Sequence, residues 1–179
     1  MFKIENSVFV LIDFQEKLVP AIYDNKELEK KVAIFVKGCR LLDVPILTVQ
    51  NYTKGMGDTT QAIKDALVNT EYTEKMSFSC CGCPEFVAKL KETGRKNVIV
   101  AGVETHICVQ QTVFDLMGIG YNVYVLADCS ASRKEADRLY SEETMRAGGA
   151  RITTYESVLF ELMVRADHPK RKEVSNLVK

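Results

Sequence analysis

The sequence has no excess of charge of either sign. Over 179 residues, Lys and Arg number 24 and Asp and Glu also number 24. That balance argues against a broad nucleic-acid footprint or a polyanionic tail. Histidine is scarce: with only His106 and His168, a His-rich metal centre is not available. No apolar run approaches the roughly 18–20 residues of a membrane span, so no membrane partner is expected. The first apolar stretch is short, ends in Asp13 and has no small-residue cleavage site after it. It reads as a strand and not as a signal peptide. No Walker A pattern occurs, and Gly55-Met-Gly57 and Gly118-Ile-Gly120 are incomplete dinucleotide fingerprints. Repeats, low-complexity stretches and linkers are also missing.

What remains is an ordinary globular composition, 46% hydrophobic and 27% charged. The length fits one domain, residues 1–179, able to bury roughly 70% of its unfolded surface without disulfides. The six cysteines are then expected to be reduced thiols of a cytoplasmic protein. Cys80-Cys81-Gly82-Cys83 contains a CxxC spacing, but no second pair completes a zinc site.

Apolar runs alternate with amphipathic segments. Strands are predicted at Ser7–Asp13, Pro45–Gln50, Asn97–Val103, Asn122–Ala127 and Arg151–Thr154. Their nearly continuous Val/Ile content suits parallel strands covered on both faces. Helices are predicted at Lys26–Leu42, Thr59–Leu67, Pro84–Glu92, Thr105–Met117, Arg133–Arg146 and Tyr155–Val164, with a short surface helix in 169–179. Pro84 suits a first helical position, Gly94 a carboxyl-terminal cap, and Ser132 with Glu135 a capping box. The alternation implies an α/β fold of three layers, α-β-α and Rossmann-like, around a mostly parallel sheet.

In such sheets ligands bind at the carboxyl ends of the strands. Three candidates carry chemistry. Cys108 follows the Asn97–Val103 strand, and with Thr105 as N-cap it falls in the first turn of a helix. There the helix dipole and free N–H groups favour thiolate and can hold an oxyanion. A small buried packing cysteine also fits that position. Asp13 closes the first strand, as a helix cap or as a base facing the crevice. Lys75 is either an exposed lysine or a cation that stabilises both other groups. Gln50 either orients a substrate carbonyl or caps a strand end.

The ordered pieces Leu11-Ile-Asp13-Phe-Gln15, Thr48–Gly57, Lys75–Ser79, Gly102–Val109 and Val125–Arg133 resemble the isochorismatase-like cysteine hydrolase superfamily. The resemblance is strongest to its isochorismatase-domain-containing subgroup. It implies an Asp13–Lys75–Cys108 triad and a non-proline cis peptide at Val103–Glu104. It also implies an oxyanion site made by the backbone N–H groups of Glu104 and Cys108, with the strands ending in Asp13 and Val103 side by side. Phe14, Gln50, Phe78 and Ile107 are expected to line a substrate pocket.

The family's nicotinamidase branch carries Asp and His ligands after the second strand. The segment Gln50–Asp58 has no His, so no metal and no cofactor are expected. Enzymes of the family that act on isochorismate lack the cysteine, so Cys108 argues against that substrate. The function implied is hydrolysis of a small amide-like C–N bond by a homo-oligomer. A thiol sensor or a non-catalytic assembly protein on the same fold is the alternative.

Overall fold

The computed structural model describes residues 3–179, so the first two residues of the expected domain lie outside the described part. Six strands form one parallel sheet: β1 (Ser7–Ile12), β2 (Ile46–Asn51), β3 (Thr73–Lys75), β4 (Asn97–Val103), β5 (Asn122–Ala131) and β6 (Arg151–Thr153). The spatial order is β3-β2-β1-β4-β5-β6. The helices are α1 (Asn25–Leu41), α2 (Thr53–Met56), α3 (Gln61–Leu67), α4 (Pro84–Glu92), α5 (Gln110–Gly118), α6 (Glu135–Ala147), α7 (Tyr155–Met163) and α8 (Arg171–Leu177).

Strand side chains alternate between faces, and here both faces are covered. Phe9, Leu11, Ile99, Ala101 and Leu126 pack with α1, α3, α7 and Val174 of α8. Val8, Val10, Ile12, Val98, Val100 and Val125 pack with α4, α5 and Met145 of α6. The result is the three-layer α/β architecture that the apolar strand runs imply. On the α1 side Phe9 and Phe35 meet edge to face at 4.8 Å. Such a pair is worth about 0.5–1.5 kcal/mol beyond its buried area. Among the described residues no helix is long and apolar enough to cross a membrane.

Three local expectations need correction. The short β3 has no apolar run to announce it; it pairs on one side only, with β2. β5 continues to Ala131, past the predicted end at Ala127, after a register break in its pairing with β4 between Val100 and Gly102. Because β5 runs that far, Ser132 lies too early to cap the next helix. Lys134 is the N-cap, without a side-chain bond, and Ser132 Oγ sits 2.9 Å from His106 Nδ1. Pro84 does open α4, and Gly94 follows that helix at φ 65°.

Candidate active site

The sheet order reverses its direction of growth at β1, whose neighbours are β2 and β4. The crevice for a ligand in an open α/β sheet lies at such a point, at the strands' carboxyl ends. Ile12 of β1 pairs with Gly102 of β4. A Cβ on Gly102 would stand 2.6 Å from both Cβ and O of Ile12, so glycine is required for the two strand ends to approach. Asp13 follows at once, with φ 56°, a left-handed conformation that Asp tolerates better than most residues. Its N–H donates to Val49 O at 3.0 Å.

Lys75 ends β3, two strands from β1, a backbone separation of roughly 10 Å. A long side chain is needed to cross beneath β2. The Lys75 and Asp13 side chains are both fully buried, and Nζ donates to Asp13 Oδ2 at 2.8 Å. Nζ also donates to Ser77 O at 3.2 Å and to Cys108 Sγ at 3.5 Å. Three acceptors therefore use the three N–H groups of the ammonium. Asp13 Oδ1 is buried and takes no hydrogen bond from an N–H or O–H of the described residues. The Cys108 thiol and the Asp13 carboxyl are close enough to shift each other's pKa.

Cys108 does not sit in an α-helical turn. Thr105–Val109 form a wider π-turn before α5, in which Val109 N–H reaches back five residues to Glu104 O at 3.3 Å. Such turns recur at functional sites. Thr105 is not a cap; its hydroxyl is buried without a partner among the described residues. Its carbonyl lies 3.0 Å from Ser141 Oγ of α6, whose single proton is shared between that oxygen and Gln110 Oε1 at 2.8 Å. From the other side, Thr112 Oγ1 donates to Cys108 O at 2.6 Å and accepts from Cys80 N–H at 2.9 Å. Ser77, Thr112 and Ser141 escaped the sequence reading. Only Thr112 carries a local signal, four residues beyond Cys108 and so on the same helical face.

Burial pushes the Asp13 carboxyl above the usual range, with Lys75 pulling against it. Asp13 is thus a stronger base than an exposed aspartate. Burial is the largest single influence on Lys75 and works against the cation, but the charge and hydrogen bond of Asp13, together with the neighbouring Cys108 and Cys80 sulfurs, outweigh it and raise the ammonium's pKa. The Cys108 thiol is pushed up to about 12 by burial and then by Asp13, with Lys75 opposing. The expectation of a thiolate favoured by a helix dipole is therefore corrected. The thiol is neutral at rest, because it is buried against a carboxylate.

The remaining expected residues divide. The Val103–Glu104 peptide is cis, where the resemblance places it. The Glu104 carboxylate accepts from Arg133 N–H at 2.9 Å and from its Nε. Ile107 packs beside Cys108, and Phe78 is exposed on the segment after Lys75. Phe14 packs into the α1-side core instead of the Cys108 side. Gln50 is buried, with its amide engaged by Asp58, Thr59 and Thr53 at 2.7–2.9 Å. Cys80 is buried near Asp13, Lys75 and Cys108, and burial raises its thiol and that of Cys81. Among the described residues no group of three or more His, Cys, Asp or Glu side chains is arranged to hold a metal ion.

The isochorismatase domain family model matches residues 7–157. Isochorismatase domain-containing protein 1 of Danio rerio is 38% identical over 174 residues, 97% of this chain and 61% of that protein. The chain thus spans about three-fifths of that relative's length. Isochorismatase domain-containing protein 2 of Xenopus laevis is 35% identical over 97% of this chain and 83% of its own length. The solved structure of the MAR1 ribonuclease from Caenorhabditis elegans superposes with a TM-score of 0.93 at 35% identity, covering 99% of this chain and 91% of that one. The YcaC product of Escherichia coli, described as an octameric hydrolase of unknown specificity, has a TM-score of 0.88 at 22% identity. It covers 98% of this chain and 86% of that one, and shares the fold.

Proposed function

The chain belongs to the isochorismatase family, and on that premise we propose that it is a cysteine hydrolase of small amide-like C–N bonds. The observation that carries the proposal is the Lys75 ammonium shared between Asp13 Oδ2 at 2.8 Å and Cys108 Sγ at 3.5 Å. A buried cation joined to a carboxylate and a thiol is costly to maintain for structure alone. It suits a site that must hold negative charge on either neighbour in turn.

In the proposed cycle Asp13 accepts the Cys108 proton as Sγ attacks the substrate carbonyl carbon. The raised Asp13 pKa narrows the gap to the thiol. The π bond's electrons move to oxygen, and the backbone N–H groups of Glu104 and Cys108 stabilise that oxyanion. Collapse breaks the C–N bond, and Asp13 returns its proton to the leaving nitrogen. A Cys108 thioester remains. Water then loses a proton to Asp13 and attacks the thioester, and the expelled sulfur regains that proton. A carboxylic acid leaves. Lys75 carries its charge throughout, and no step calls on a metal or cofactor.

In this reading Phe78, exposed after Lys75, and Ile107, next to Cys108 in the chain, meet the substrate. We assign a small substrate because Cys108 is 8% exposed and its two partners are sealed. Self-association and a cytoplasmic site of action, where six free thiols stay reduced, belong to the same reading.

The test is a panel of small carboxamides, N-carbamoyl compounds and ureas, with an RNA arm for the activity that the nematode relative's name carries. Amine release is measured for wild type and Cys108→Ala, and intact mass spectrometry on quenched samples looks for an acyl adduct. The expected result is turnover of at least one amide, an adduct on Cys108, and a loss of at least about 1,000-fold in Cys108→Ala. Near-wild-type turnover in that variant, or cleavage of RNA alone, overturns the proposal.

A further inference from the structure

Glu104, Thr105 and His106, the residues that lead into Cys108, are each tied to the stretch of chain that follows β5. Val103 and Ala131 are paired positions at the ends of β4 and β5, so Glu104 and Ser132 leave the sheet side by side. The Glu104 side chain is only 10% exposed, and its carboxylate accepts from the Arg133 backbone N–H at 2.9 Å. Arg133 Nε lies 3.1 and 3.0 Å from the two carboxylate oxygens and shares its single N–H between them. Among the described residues Arg133 is the one partner of that carboxylate. The Thr105 carbonyl meets Ser141 Oγ of α6. His106 Nδ1 meets the buried Ser132 Oγ at 2.9 Å, and Ser132 O accepts from Tyr23 N–H at 3.1 Å. His106 Nε2 is 4.0 Å from Asp137 Oδ2, too far for a hydrogen bond, so Ser132 is its close partner.

The Arg133 side chain is 63% exposed, and a pair with so exposed a cation adds little to stability. It does fix direction, because charge-assisted bonds to a carboxylate are short and oriented. Glu104 is the residue whose backbone N–H faces the oxyanion in the proposed cycle. Such a donor works only when it is aimed before the charge develops. A misplacement of about 1 Å can cost about 100-fold in rate. The Glu104 side chain is the handle by which its backbone can be held, and Arg133 grips that handle from a strand end 29 residues away.

We propose that Arg133 is a positioning residue for the oxyanion site, acting through the Glu104 carboxylate, with the Ser132–His106 contact as a second tie. The inference rests on the oxyanion role given above to the Glu104 N–H.

The test follows Cys108 in the full chain at pH 8 with two reagents, each adduct located and timed by mass spectrometry. With p-nitrophenyl acetate, Sγ adds to the carbonyl carbon, the oxygen takes the charge, p-nitrophenolate leaves and Asp13 takes the thiol proton. With iodoacetamide, Sγ displaces iodide directly and no oxyanion forms. We expect Arg133→Met to slow acylation at least about ten-fold and to leave alkylation within about two-fold of wild type. Arg133→Lys, which keeps a cationic donor, should recover most of the acylation rate. Glu104→Met should slow acylation at least as much, and adding Arg133→Met to it should change nothing further, because the two side chains act as a unit. Equal slowing of both reactions, no slowing in Arg133→Met, or full additivity in the double variant overturns the proposal. So does a wild-type Cys108 that p-nitrophenyl acetate fails to acylate. Amide turnover is read separately in the substrate panel, so its absence would remove the hydrolase reading while the comparison of the two reagents still decides the role of Arg133.

Discussion

Cys108 and Cys39 are both buried thiols with raised pKa values, one on each side of the same sheet. On α1, Cys39 is fully buried, and burial alone pushes its thiol up. At Cys108 burial and the Asp13 carboxylate push up, while Lys75 pulls down. Neither sulfur is thiolate at rest. What separates them is the company: Cys108 has the Asp13 carboxylate and the Lys75 ammonium beside it. On the proposed mechanism, reactivity comes from a coupled proton acceptor and not from a permanently ionised sulfur.

The sharpest way to break the contrast is to remove the cation. Lys75→Met leaves Asp13 buried without a counter-charge, and breaking a buried pair from one side costs about 3–5 kcal/mol. Asp13 already has a raised pKa in the folded state, and losing Lys75 raises it further. A carboxyl with a raised folded pKa gives stability at low pH and loses it as pH rises through that pKa. Urea melts of Lys75→Met should therefore show the full deficit near pH 8 and a smaller one near pH 5. The double variant Asp13→Asn/Lys75→Met should recover most of the stability and none of the amide turnover. A deficit that is independent of pH would mean that Lys75 acts by packing, which removes the charge argument.

A smaller effect, of reversed sign, is expected for Asp13→Asn. Asp13 repels a developing thiolate, so its loss lowers the Cys108 pKa while Lys75 keeps the sulfur as its anionic partner. Alkylation by iodoacetamide at pH 8, followed by mass spectrometry, should be at least about ten-fold faster than wild type, one pKa unit of thiolate population. Wild-type Cys108 should accelerate continuously as pH rises towards 12. Hydrolysis should fall in the same variant, because the base is gone. Slower alkylation in Asp13→Asn would show that the carboxylate assists ionisation at rest.

Much of this arrangement is legible in the sequence, and the gaps have physical causes. The core strands announce themselves because both faces are buried and the apolar runs are continuous. β3 does not: Thr73-Glu74-Lys75 is a three-residue polar edge strand, and its Lys75 looks exposed until Asp13 is seen across β2. The π-turn at Cys108 is invisible locally, since its bond to Ser141 spans 36 residues. Gln50 and Phe14 flank crevice positions in sequence, but strand alternation and the left-handed Asp13 turn them elsewhere. Gln50 braces the loop through Asp58 and Thr59, and Phe14 enters the α1-side core.

The smallest expected effect is at the other cysteine. Cys39→Ala removes one buried sulfur from a core that includes Val36, Leu42 and Cys129. The lost burial and the small cavity should together cost about 1 kcal/mol, read as a lower urea midpoint at unchanged slope. Amide turnover should stay within two-fold, because no charged group of the triad faces that side of the sheet. Cys39→Ser should cost more, about 1–3 kcal/mol for a buried hydroxyl that finds no partner, again with turnover intact. A ten-fold loss of turnover in Cys39→Ala, at a temperature where the variant is folded, would show that the α1-side core sets the geometry at Cys108. The two thiols could then no longer be treated as independent.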